Sequence, residues 1–384
     1  MKAHSWPTVA SPTHQRRPKR PLMLAYWGRY GALPQLALEL GDACVRLGYG
    51  SRTTISISTS NELFHGYEHL GEVIFPVKTY SSPFATLSLA AVLRLRRNLV
   101  ERLEADGTRA FVTLMPHVWS PLVIPVLRQA GVRHTVIIHD ADPHVGDRTA
   151  WVNRWLLREV KMADQVVTLT ASVAERLIRS NVVPEKKISV LFHPDLTYSR
   201  NFGNANSNPG PLRVLFFGRI LPYKGLSQFI GAMEILKRAG VSINVGVFGA
   251  GEIGQERARL DALAAEVVNK WIPPADIAGI LGRHDVVVIS HTKASQSGVI
   301  AAAHGAGLPV VATPVGGLTA QIIPEVTGLI AADISAEAVA AAVRRFAEDR
   351  NFLRRIRQGI MDTKKERSMD RFFYELSEIA QKEN

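Results

Sequence analysis

Short apolar runs alternate with amphipathic stretches along this 384-residue chain, and the alternation breaks once and then restarts. The break, residues 201–211, is dense in Asn, Gly and Pro, residues that favour turns and supply no core. Before it, apolar runs with strand character lie at Leu22–Trp27, 53–58, 74–77, 111–115, 135–139, 165–169 and 188–191. Helical spacing lies between them at 33–47, 87–104, 122–129, 150–162 and 172–178. After it, strand runs at 214–217, 243–248, 285–289 and 309–312 alternate with helical stretches at 227–239, 254–265, 298–304 and 336–348, and a last helix covers 371–381. Consecutive strand–helix units build parallel sheets covered on both faces. The chain therefore reads as α/β, with two Rossmann-like, doubly wound parallel-sheet domains facing a cleft. The expected division is a disordered basic tail over 1–21, a first domain over 22–200, a linker over 201–211, a second domain over 212–368 and a terminal helix over 369–384.

Composition narrows the class. Hydrophobic residues make up 46% and charged residues 21%, ordinary values for a globular enzyme. The single cysteine, Cys44, rules out a disulfide within the chain and reads as a buried thiol. No run of eighteen apolar residues is present, so no transmembrane helix is expected. The net charge is +12. Part of it lies in the tail, and more gathers at Arg94, Arg96 and Arg97 and again from Arg344 to Arg357. These clusters read either as solvated helix faces or as attraction to anionic lipid headgroups. The apolar stretch Phe84–Leu95 reads as a half-buried or interfacial helix. No zinc spacing or aromatic RNA motif accompanies the charge, so no nucleic-acid partner is expected.

In open α/β sheets, ligands bind beyond the carboxyl ends of the strands. Four such positions carry chemistry in the second half. Gly218 and Arg219 follow a strand, and Lys224 and Gly225 follow five residues on. Arginine offers a planar fork and lysine a point charge, a pair suited to a departing diphosphate. Gly249, Gly251 and Glu252 follow the next strand, where missing side chains let a ligand approach. Trp271-Ile272 precedes a helix and could hold a flat base. Gln296, Ser297, Gly298 and Val299 open an alanine-rich helix. Ser297 is placed to cap it, and the first amides can point at an anion. The alternative for each is a solvated turn or an ordinary cap.

In the first half, Gly28, Arg29, Tyr30 and Gly31 form the turn after the first strand, and His117 follows another strand. His139, Asp140, Asp142 and His144 follow a third. That last group reads as acceptor or sugar binding, as structural hydrogen bonding, or as an Asp-x-Asp metal motif. The preferred reading has no metal and no cofactor. The first domain also lacks a dinucleotide fingerprint.

The order of these motifs resembles the retaining family-four glycosyltransferases of the GT-B fold, in their bacterial polysaccharide and glycolipid branch. The likeness is strongest from Val214 to Ile330. It implies a UDP- or GDP-sugar donor on the second domain, a glycan or lipid-linked glycan acceptor on the first, retention of configuration and no essential metal. It implies that Arg219 and Lys224 hold the diphosphate, that His139 contacts the transferred sugar, and that the last helix packs on the first domain. The basic charge, the single cysteine and the lack of a membrane span lead to the expectation of a cytoplasmic enzyme in peripheral contact with an anionic membrane. One departure stands out. The family's two glutamates fall on Ala294 and Ala302 here, so Gln296 or Ser297 is expected to take over sugar contacts. A non-catalytic protein binding a glycan or a partner transferase is the alternative.

Overall fold

In a computed structural model, described for residues 21–79, 88–140, 150–198 and 210–382, each half of the chain builds one parallel sheet. The basic tail, nearly all of the 201–211 linker, Asp142 and His144 lie outside these residues. The first sheet contains β1 (Leu22–Tyr26), β2 (Thr53–Ser58), β3 (Ile74–Val77), β4 (Ala110–Thr113), β5 (Arg133–Ile138), β6 (Gln165–Thr168) and β7 (Ile188–Val190). Its order is β3-β2-β1-β4-β5-β6-β7. The second contains β8 (Leu212–Phe217), β9 (Ile243–Phe248), β10 (Glu266–Val268), β11 (Val286–Ile289), β12 (Val310–Ala312) and β13 (Gly328–Ile330), in the order β10-β9-β8-β11-β12-β13. Every pairing is parallel. The strand order reverses beside β1 in one sheet and beside β8 in the other. Each reversal opens a crevice at the strand ends where the motif residues fall.

The strands read as continuous apolar runs because both sheet faces are covered. β1 and β2 are buried along their whole length. On the first sheet, α1 (Ala32–Arg46) presents Leu36, Ala37, Leu40 and Ala43 to the core. On its other face, α2 (Leu89–Ala105) contributes Val92, Leu95, Leu99 and Leu103. Leu89 and Leu93 of α2 remain exposed, beside exposed Arg94 and Arg97. On the second sheet, α6 (Leu226–Arg238) and α10 (Ala336–Glu348) share one core with α11 (Arg350–Asp362). Ser335 caps α10 by accepting from the Ala338 amide at 3.1 Å.

Four elements differ from the sequence expectation. The two short edge strands β10 and β13 read as loop. Arginines mask the apolar stripe of α11, which is formed by Phe352, Leu353, Ile356 and Ile360. The helix expected over 254–265 is α7, only Glu256–Ala262, because Ala264 adopts a left-handed φ of 54°.

The chain passes between the sheets twice, over residues 191–198 and 363–368. The first passage packs on α9 (Gly298–Gly305): Leu196 N–H donates to Ala301 C=O at 3.0 Å. Arg367 ties the passages together by donating from Nε to both oxygens of buried Asp195, at 3.0 and 3.2 Å. The last helix, α12 (Met369–Gln381), puts Met369, Phe372, Phe373, Leu376 and Ala380 into the core of the first sheet. Among the described residues, no helix is long and apolar enough to cross a membrane.

Candidate functional site

On the second sheet, β8 ends at Phe217 and the backbone turns at Gly218, with φ 107°. A Cβ there would lie 3.2 Å from Val299 Cγ2, so this turn touches the start of α9. The corner at Gly225, with φ 71°, presses on the backbone after β11; a Cβ would lie 1.8 Å from Ser290 C=O. Ser290 Oγ donates to Gly225 C=O at 2.8 Å, and Thr292 N–H donates to Tyr223 C=O at 2.9 Å. These contacts set the turn that carries Arg219 and Lys224 against the start of α9 and the backbone after β11. Arg219 is exposed and Lys224 half-buried. Burial, and then the charge of Arg219, pull the Lys224 ammonium down to about 8. Its proton is thus weakly held until an anion arrives.

From the first domain, residues at the end of β5 reach the loop before α9. His139 Nε2 lies 2.7 Å from Leu114 C=O and must carry the hydrogen. Its Nδ1 is therefore an acceptor and receives Gln296 Nε2–H at 2.8 Å. Burial lowers the His139 pKa, so the ring is neutral at pH 7. Ser295 Oγ donates to Asp140 at 2.7 Å, and Thr170 Oγ1 donates to Ser295 C=O at 3.3 Å. Three hydrogen bonds thus cross from the first domain onto residues 295–296.

The loop between β11 and α9 has a second property. His291 Nδ1, Gln296 Oε1 and Ser297 Oγ are buried without a hydrogen-bond partner. A buried polar atom left unpaired costs about 1–3 kcal/mol, so three along one short loop mark a place where ligand or water completes the bonding. The expected cap of α9 by the Ser297 side chain is corrected here. The Ser297 hydroxyl makes no cap, and the Gln321 carboxamide clamps Ser297 instead, accepting from its N–H at 2.7 Å and donating to its C=O at 3.0 Å. Gln321 was not legible as a site residue, although it closely follows the Gly316-Gly317 turn. Gly298 opens α9 close to the first domain, where a Cβ on it would lie 2.9 Å from Ala32 Cβ.

The other expected residues are placed as follows. Gly249 and Gly251 have φ of 152° and 155°, and their missing Cβ space is filled by the backbone of Gly218 and Ile220. They serve the passage of the β8 turn beside the β9 turn, and exposed Glu252 stands at its edge. Ile272 turns into the second core. His117 is enclosed between the indoles of Trp27 and Trp119, at ring-centroid distances of 5.6 and 5.8 Å, and burial drives its pKa to about 3. Gly28 covers the Tyr26 ring. Gly31, with φ 103°, donates its N–H to Glu62 at 2.9 Å. Arg29 stacks on the exposed Tyr30 ring. Ala302 is buried and Ala294 half-buried, so no carboxylate stands at either position.

Comparison with known proteins gives the family and the fold. The family of glycosyl transferases group 1 matches residues 198–361, and a glycosyl transferase 4-like domain matches residues 31–191. The chain is 27% identical over 214 residues to a glycogen synthase of Mycobacterium tuberculosis, covering 52% of this chain and 48% of that one. It thus spans about half the length of the first curated relatives it matches. A 2-deoxystreptamine glucosyltransferase of Streptomyces kanamyceticus is 28% identical over 292 residues, covering 68% of this chain and 73% of the relative. The crystal structure of Anabaena HepE in complex with UDP superposes with a TM-score of 0.69 at 15% identity, covering 94% and 98% of the two chains, and shows the same two-domain fold.

Proposed function

Since this chain belongs to the group 1 glycosyltransferases of the GT-B fold, we propose that it transfers a sugar from a UDP- or GDP-sugar to a glycan or lipid-linked glycan, retaining configuration and using no metal. The anomeric carbon–phosphate bond breaks, and the acceptor oxygen bonds to that carbon on the same face. The acceptor proton leaves with the departing diphosphate. Arg219, Lys224 and the Gly298 and Val299 amides stabilise the negative charge that develops there. Neutral His139 holds Gln296, whose free oxygen accepts a hydroxyl of the transferred sugar. Ser297 Oγ lies beside it in the chain.

The observation that supports this reading is the closeness of the turn carrying Arg219 and Lys224 to the start of α9. The Anabaena protein of the same fold is described in complex with UDP. The exposed leucines of α2, flanked by Arg94 and Arg97, support peripheral docking on an anionic membrane where a lipid-linked acceptor resides.

Thermal shift with UDP-glucose, UDP-galactose, UDP-N-acetylglucosamine and GDP-mannose tests the donor site. One of them raises the melting temperature of the wild-type chain by mass action. Loss of two charge-assisted bonds of about 1.5 kcal/mol each makes Arg219→Ala with Lys224→Ala bind it about 100-fold more weakly. A double variant that binds like wild type refutes the assignment. The non-catalytic alternative rests on the alanines at 294 and 302, and silence across the donor panel favours it.

A further inference from the structure

Tyr30, Trp271 and Tyr374 are the exposed large aromatic side chains among the described residues, and two of them meet across the cleft mouth. Tyr30 belongs to the turn after β1 and is 59% exposed; Trp271 precedes α8 (Pro274–Gly282) of the second domain and is 42% exposed. Their ring centroids are 5.9 Å apart at 73°, forming a corner with open ring surface. The Arg29 guanidinium lies 5.1 Å from the Tyr30 centroid and donates to its hydroxyl at 3.2 Å, which holds that ring in place. Glu62 stands in the same corner. Its carboxylate accepts from Gly31 N–H at 2.9 Å and hydrogen-bonds the Trp271 side chain, so one acidic group bridges the two domains.

Ring surface left in water beside a carboxylate defines the ligand chemistry. A pyranose has apolar C–H faces that lie on aromatic rings and a rim of hydroxyl donors that a carboxylate accepts. A phosphate-bearing ligand is repelled by Glu62, and an apolar chain leaves the carboxylate unused. We propose that Tyr30, Trp271 and Glu62 form a subsite for a pyranose ring of the acceptor glycan. This assignment rests on the glycosyltransferase reading and extends the acceptor site onto the second domain. Because each domain supplies part of it, the subsite is complete only while Trp271 is docked on Tyr30 and Glu62. Acceptor capture therefore follows domain closure.

Saturation-transfer NMR on the full chain with UDP tests this, using the methyl α-glycosides of glucose, galactose and mannose as probes. At least one glycoside is expected to receive saturation. Trp271→Ala and Tyr30→Ala each weaken it at least fivefold, and Glu62→Gln weakens it also, while the Kd for UDP changes less than twofold. All three side chains lie at the surface end of their loops, and thermal melting checks that the variants fold. The proposal is overturned if no glycoside binds a wild-type chain that binds UDP, or if the variants bind glycoside as wild type does. Weakening of UDP alone by Trp271→Ala assigns the corner to the nucleobase and overturns it equally. Failure of wild type to bind UDP and every donor in the thermal-shift panel refutes the donor reading itself.

Discussion

Lys224 carries the most specific consequence at the scale of single residues. Its ordinary value of 10.5 falls to about 8 because burial, and secondarily Arg219, disfavour the ammonium. A diphosphate favours the charged form, so binding raises the value again. Donor affinity is therefore flat below pH 8. It declines above pH 8, by up to about tenfold per pH unit, until the value of the bound state is reached. Calorimetric titration of UDP between pH 6.5 and 9.5 checks this. Lys224→Arg, charged throughout, flattens the profile; a wild-type profile that is already flat contradicts the account. His139 contributes no such slope, since burial keeps it neutral across this range. Its part is geometric: the bond to Leu114 sets the tautomer, and the tautomer sets which way Gln296 faces.

Among elements, the corner ending at Gly225 shows how backbone shape places chemistry. Gly225 and Gly240 share a φ of 71°, but a Cβ at Gly225 would lie 1.8 Å from Ser290 C=O, whereas one at Gly240 meets open space. Gly240→Ala therefore costs only the left-handed penalty of about 1–2 kcal/mol. Gly225→Ala adds a backbone clash, lowers the urea midpoint further, and weakens UDP binding by shifting Lys224. Equal effects of the two substitutions would contradict this packing. The same scale explains what was legible in sequence. Central strands such as β1 and β8 are buried on both faces and announce themselves as apolar runs. β10 and β13 are three-residue edge strands that open on Glu266 and Gly328, residue types that read as loop. The turns at Gly218 and Gly225 stood out because glycine, arginine and lysine fall at strand ends. Gln321, Glu62 and the cross-cleft role of Trp271 did not, because each acts through a partner distant in the chain. Ser297 misled because its residue type suits a cap, whereas its hydroxyl makes none and Gln321, 24 residues away, binds its backbone.

For the whole molecule, the joint between the domains is the Asp195–Arg367 pair. Arg367 also donates to Thr363 and Ile360, so its guanidinium is held from several sides where both chain passages meet. Removing one partner of a buried ion pair leaves the other uncompensated, at about 3–5 kcal/mol. Arg367→Met is expected to lower stability by that amount in urea unfolding, and adding Asp195→Leu recovers most of it. An Arg367→Met chain as stable as wild type would show that the joint bears no strain of this kind. The passage at Leu196 also touches α9, whose first turn meets the Gly218 turn. Binding there thus has a short physical route to the joint.

The placement of α12 governs when this protein can mature. Phe372, Phe373 and Leu376 complete a core begun at Leu22, so the first domain leaves an apolar groove open while the entire second domain is being made. Ribosomes must carry synthesis past the second domain to Phe372, Phe373 and Leu376 before that groove is sealed. A nascent or prematurely stopped chain exposes it to whatever sticks, and chaperone demand during synthesis falls on the half of the protein that is made first.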